Sequence, residues 1–145
     1  MKKIYLWVIG SGWTEFQYEN LSDLKAEFES RKITIGDYAT IGDYAKIGDY
    51  ATIGDSAKIG DYATIGDSAK IGYSAKIVKS LFITGSKHTV NWWGLGVIKI
   101  GCKTHTIEEW EQMYAEIGES ESYSKSEIEE YKGYIEICKL LQSKI

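Results

Sequence analysis

From Ile35 onward the chain repeats itself every six residues, as "IGDYATIGDYAKIGDYATIGDSAKIG" between Ile35 and Gly60 shows. Isoleucine recurs at Ile35, Ile41, Ile47, Ile53, Ile59, Ile65, Ile71, Ile77 and Ile83. Alanine follows four places later at Ala39, Ala45, Ala51, Ala57, Ala63, Ala69 and Ala75. An amphipathic helix needs an apolar stripe at spacing three to four, and a hairpin sheet needs turns set farther apart. A period of six fits neither.

Within one hexad, Ala and Ile stand two apart and face one side of a strand, while the Thr or Lys between them faces the other. Gly, Asp and Tyr or Ser then bend the chain. So short a period predicts a solenoid in which each unit buries its apolar face on its neighbours. The run "IGDYATIGDYAKIGDYA" resembles the hexapeptide repeat of left-handed parallel β-helix proteins. That resemblance implies a mainly β fold, a triangular prism of about three to four coils, with three hexads to a coil and residues 18 apart stacked. Asp37 then lies over Asp55, Asp43 over Asp61, Asp49 over Asp67, and Tyr44 over Tyr62. The corner aspartates are expected to cap their own backbone amides rather than to hold calcium. Lysines interrupt every outward rank of threonine, which argues against an ice-binding face.

The repetition fails after Ile83, in "TGSKHTVNWWGLGVIKIGCKT". Leu81 and then Lys87 take the alanine place, and a charge cannot point into a dry core. "IKIGCKT", Ile98 to Thr104, repeats the opening of the prism but does not lie a whole number of hexads beyond it. The expected account is an excursion loop near 84–97 that leaves the coil and returns for a last strand, with the β-helix covering 33–104. The loop gathers Ser86, Lys87, His88, Thr89, Asn91, Trp92 and Trp93. Cations and hydroxyls suit an anion, and paired tryptophans suit a flat ring. With His105, these are the expected ligand-binding residues; a lid or subunit interface is the competing reading of Trp92 and Trp93.

Both flanks suit the capping of a prism. Residues 1–32 combine strands "KIYLWVI" and "TEFQY" with a helix in "NLSDLKAEFESRK", capped by Asn20. Residues 105–145 form a helical pair with capping boxes at Thr106/Glu109 and Ser124/Glu127. The first of these helices is expected to end at Gly118. Their apolar faces carry Ile107, Trp110, Tyr114 and Ile117, then Ile128, Tyr131, Ile135 and Cys138.

The 145 residues suit one domain, and the net charge of -4 weighs against duplex nucleic acid as a partner. The run "IYLWVIG" falls short of the ~20 residues of a membrane span, so a cytoplasmic protein with no membrane partner is expected. Cys102 and Cys138 have no metal-ligand spacing, and two histidines do not supply a three-histidine zinc site. No metal and no cofactor are expected.

The sequence "TGSKHT", then "IGC", then "IEEW…YAEIG…YSKSEIEEY" resembles small hexapeptide-repeat proteins encoded by phages and prophages, which implies the host cytoplasm. The expected function is a non-enzymatic homo-oligomer, a trimer by preference. It sequesters a small anionic or nucleotide-like ligand, such as a host immune signal, in pockets between subunits. The wider family implies one alternative, an acyltransferase using acetyl-CoA with His88 as general base. A structural trimerisation module is the second.

Overall fold

A computed structural model describes residues 1–145, which divide into two compact units, Met1–Ser80 and Leu81–Ile145. The first opens with strands β1 (Lys2–Val8) and β2 (Gly12–Tyr18), an antiparallel hairpin. A 3-10 turn at Leu21–Leu24 leads into helix α1 (Lys25–Ser30). The repeat then yields one short strand per hexad: β3 (Thr34–Ile35), β4 (Thr40–Ile41), β5 (Ala45–Ile47), β6 (Thr52–Ile53), β7 (Lys58–Ile59), β8 (Thr64–Ile65), β9 (Lys70–Ile71) and β10 (Lys76–Ile77). Each pairs in parallel with the strand 18 residues on, giving stacks β3-β6-β9, β4-β7-β10 and β5-β8. The fold is mainly β, with parallel strands stacked as in a β-helix. Ile47, Ile53 and Ile65 are fully buried, with Ala45, Ala51 and Ala57 beside them.

The third stack has only two repeat strands, and β1 supplies the third. It lies parallel to β5 with Ile4 opposite Ala45 and Leu6 opposite Ile47, and both apolar side chains are fully buried. A segment outside the repeat thus takes the place of a repeat strand.

The corners explain the G-D-[YS] pattern. The third residue is left-handed at Tyr38, Tyr44, Tyr50, Ser56, Tyr62, Ser68 and Ser74, with φ between 55° and 63°. That conformation costs about 1–2 kcal/mol for a residue with a side chain. A hydrogen bond to the neighbouring coil offsets it: Ser56 N–H donates to the Asp37 carbonyl at 2.8 Å, and Tyr62 N–H to that of Asp43 at 2.9 Å. The glycine is required by close approach, since a Cβ on Gly36 would stand 2.4 Å from the Asp55 nitrogen.

The aspartates act differently from the expectation that they cap their own turns. The amide of Asp37 donates to Asp55 Oδ1, and that of Asp43 to Asp61 Oδ1, both at 2.8 Å. The carboxylate reaches across to the preceding coil because the left-handed corner aims its own amides elsewhere. Asp49 lacks this partner. The residue 18 before it is Arg31, whose amide donates to the Phe28 carbonyl at the end of α1, and Asp49 Oδ1 is buried without a hydrogen bond. Burial first, then the charge of Asp67, pushes the Asp49 carboxyl above its ordinary range, against a smaller opposing pull from Arg31.

The second unit departs from the sequence expectation. Strands β11 (Leu81–Thr84), β12 (Thr89–Trp92), β13 (Val97–Ile100) and β14 (Lys103–Thr106) form an antiparallel meander, followed by helices α2 (Ile107–Ser120) and α3 (Lys125–Gln142). The expected excursion loop at 84–97 contains all of β12, and Ile98 to Ile100 pair with β12 rather than with the repeat. The physical reason is a change of period. Val90 and Trp92, and Ile98 and Ile100, stand two apart and bury their side chains in one core, and Gly94 and Gly96 turn the chain at φ 83° and 77°. The repeat prism therefore closes before residue 104. Both capping boxes form, at Thr106/Glu109 and Ser124/Glu127. Helix α2 runs through Gly118 instead of ending there: the glycine keeps a helical backbone and serves close packing, since a Cβ would meet Ile128 at 2.8 Å. No helix is long and apolar enough to cross a membrane.

Candidate functional site

The residues singled out in "GSKHTVNWW" fall on one hairpin, β11–β12, whose turn is closed by the Gly85 amide donating to the His88 carbonyl at 3.2 Å. This turn docks on α3. Ser86 donates to Glu130 twice, from its hydroxyl at 2.5 Å and its amide at 2.9 Å. The amides of Lys87 and His88 donate to the Tyr131 hydroxyl at 3.0 and 2.6 Å, and that hydroxyl donates to the His88 carbonyl at 2.7 Å. The expected anion site thus holds an anion of the protein itself. The Ser86 hydroxyl, the Tyr134 hydroxyl and the Ser86 amide keep the Glu130 carboxyl below its ordinary range.

Trp92 and Trp93 are buried and offer no face for stacking. Trp92 packs in a core with Ile98, Ile107, Trp110, Ile135 and Cys138, and its indole N–H donates to Gln142 Oε1 at 2.9 Å. Asn91 is buried too, with its amide donating to the Leu81 carbonyl at 3.1 Å. Lys87 and Thr89 are exposed. His105 meets Trp110 edge-on, ring centres 5.0 Å apart. The structure therefore disperses the eight expected residues. Trp92 is internal because Ile135, Cys138 and Gln142 of α3, some forty to fifty residues further along, pack on it.

Of the eight, His88 lines a cavity of about 40 Å³ between the sheet and the helical pair. Cys102, Lys103, Tyr114, Glu121 and Tyr123 share its wall. His88 Nδ1 lies 2.5 Å from the Tyr123 hydroxyl with the rings stacked at 5.7 Å. Burial, then the neighbouring Tyr131, pushes the Tyr123 phenol well above its ordinary value. Lys103 and Glu121 pair at 3.6 Å. Sequence reasoning did not find these partners, since they come from four elements with no shared spacing. The cavity holds a few water-sized groups, against the roughly 300 Å³ or more of a typical small-molecule pocket.

The first unit has a larger opening, about 640 Å³, between α1 and the first repeat corner. Lys25, Phe28, Ile35, Asp37 and Tyr38 line it, and the Tyr38 ring is 89% exposed. Nothing in the sequence singled it out, because its walls belong to the repeat and to the cap.

Comparison with known families bears on the same stretch. Residues 38–73 match the model described as "Bacterial transferase hexapeptide (six repeats)". Residues 38–73 therefore carry a hexapeptide repeat. No curated protein and no solved structure matches the chain.

The match lies inside the prism and covers about a quarter of the chain, so it speaks to the coil and not to the hairpin or the helices. On the prism surface Tyr44 and Tyr62 stack at 5.2 Å and 8°, and Lys3 lies 5.4 Å above the Tyr44 ring. No three His, Cys, Asp or Glu side chains gather as metal ligands. Cys102 is exposed, and burial pushes the Cys138 thiol up to about 12.

Proposed function

We propose that this hexapeptide-repeat protein is a non-enzymatic binding protein, built on a left-handed prism that associates with copies of itself, by preference as a trimer. The observation that carries the reading is the contrast between its two openings. The one beside a histidine has about 40 Å³, while the one of ligand size, about 640 Å³, is lined by repeat and cap residues with no histidine. Corner rings such as Tyr38, Tyr62 and Tyr73, exposed at 89%, 72% and 78%, support contact with further copies or with partners. A small anionic or nucleotide-like ligand has Lys25 and the Tyr38 ring in its favour, but not the buried tryptophans or the occupied turn.

Native mass spectrometry and calorimetry test this reading. It expects an oligomer, no turnover of acetyl-CoA, and ligand binding that survives His88→Ala but is weakened by Lys25→Glu. Acyl transfer is the second reading, favoured by the oriented His88–Tyr123 pair, in which the ring has its Nδ1 fixed as a general base requires. Turnover of acetyl-CoA that disappears in a folded His88→Ala variant overturns the binding reading. A monomer removes the self-association.

A further inference from the structure

Helix α3 has one covered apolar face and one uncovered. Tyr131, Ile135 and Cys138 are buried in the core shared with the sheet and α2. Ile137 and Leu140 lie outside that core, exposed at 46% and 59%. Gly133 stands on the same outward line, four residues before Ile137 and seven before Leu140, the spacing of one and two helical turns. Glycine is unfavourable inside a helix, and no packing within the chain requires this one, since a Cβ there would meet nothing within 4 Å. The outward line thus has a projection at Leu140 and a gap at Gly133.

Charges of opposite sign mark the two ends of the line. Glu129 and Lys144 are exposed, and neither enters an ion pair within the chain. They stand fifteen residues apart, about 22 Å along a helix, too far to meet each other. The two relationships have a common centre. Gly133 and Leu140 are placed symmetrically about the bond between Glu136 and Ile137, and so are Glu129 and Lys144. A second α3 laid antiparallel on the first, with a two-fold axis at that point, sets each Leu140 over the other's Gly133 and each Glu129 beside the other's Lys144. An isologous contact needs a face that matches itself in this way, and a gap facing a projection is how helices pack closely.

We propose that this face of α3 is a docking surface for the same face of a second copy, packed antiparallel about Ile137. The contact goes beyond the self-association read above: it is two-fold, it lies in the helical unit, and it is separate from any association of the prism. An assembly that uses both contacts has an even number of copies.

The test is sedimentation equilibrium of the full chain. An even-numbered assembly is expected, and Ile137→Glu should halve its mass while the helix content by circular dichroism stays the same. Gly133→Gln, which fills the gap with a better helix former, should do likewise. Glu129→Lys and Lys144→Glu should each weaken association about tenfold by setting like charges together. The double variant should restore it, and because the two residues cannot meet within one chain, that rescue reports a contact between copies. A mass that Ile137→Glu or Gly133→Gln leaves unchanged overturns the proposal, as does a double variant no stronger than the single ones. A trimer indifferent to all these substitutions removes this contact and leaves the self-association above standing. A monomeric parent removes both. A monomer that binds phosphatidylglycerol vesicles, and loses that binding in Ile137→Glu, makes the occupant a lipid surface and the proposal wrong.

Discussion

The amide of Asp37 donates to the carboxylate of Asp55 at 2.8 Å, across the gap between one coil and the next. The aspartate of the repeat is therefore a stitch between layers. The same bond joins the Asp43 amide to Asp61 Oδ1, so the columns of aspartate along the corners hold neighbouring coils together.

Removing one stitch should have a measurable and limited cost. Asp55→Ala leaves the Asp37 amide without its partner at an exposed corner and should lower stability by about 1 kcal/mol. Asp55→Asn keeps an oxygen in place and should lie within about 0.5 kcal/mol of the parent. Urea unfolding of the three proteins checks this.

The glycines of the repeat should divide by layer. A Cβ on Gly42 would stand 2.4 Å from the Asp61 nitrogen, while one on Gly72 meets nothing within 4 Å. Gly42→Ala is expected to cost about 1–3 kcal/mol or more, as overpacking does, and Gly72→Ala about 0.5 kcal/mol or less. Equal melting temperatures would show that the coils can part without penalty.

Tyr131 should matter more than its neighbour Tyr134. Its hydroxyl accepts from two amides of the hairpin turn and donates to the His88 carbonyl, so Tyr131→Phe strands two amides and leaves that carbonyl with the Gly85 amide alone, a loss of roughly 2–4 kcal/mol. Tyr134→Phe loses one bond, to Glu130, and should cost about 1 kcal/mol. Hydrogen exchange at the amides of Lys87 and His88 should rise sharply in the first variant and little in the second.

Asp49 gives a pH dependence of known sign. Its folded carboxyl titrates above the ordinary value of 3.8, so its contribution is fully favourable below that value and is lost as pH rises through the folded one. Asp49→Asn should therefore be at least as stable as the parent at neutral pH, and the difference should shift in the parent's favour as pH falls toward 4. A parent that gains no stability relative to Asp49→Asn on acidification would contradict the buried, unpartnered oxygen.

The prism was legible because its signal is local and repeated: Ile and Ala at fixed spacing define both strand and stack, and no distant residue changes that. The helices were legible for a similar reason, through Thr106 with Glu109 and Ser124 with Glu127. The site was not. Trp92 stands among glycines and polar residues and reads as an exposed loop, yet its burial depends on Gln142, Ile135 and Cys138 from α3. His88 was found from its surroundings, but its ring partner Tyr123 lies in a turn with no pattern of its own. The foot of the prism was hidden because what marks it comes from outside the repeat: β1, from the cap, extends the β5–β8 stack where β3 and β4 end theirs.

That borrowed strand also sets an order of events during synthesis. Ile4 leaves the ribosome before Ala45, the residue it pairs with, does. Until β5 emerges, the β1–β2 hairpin holds an apolar face with no layer beneath it, and two nascent chains on one message can meet at that edge. The earliest-made segment thus waits for a parallel partner 41 positions further on (Ile4 to Ala45), against 18 for a repeat strand such as β3 (Thr34 to Thr52).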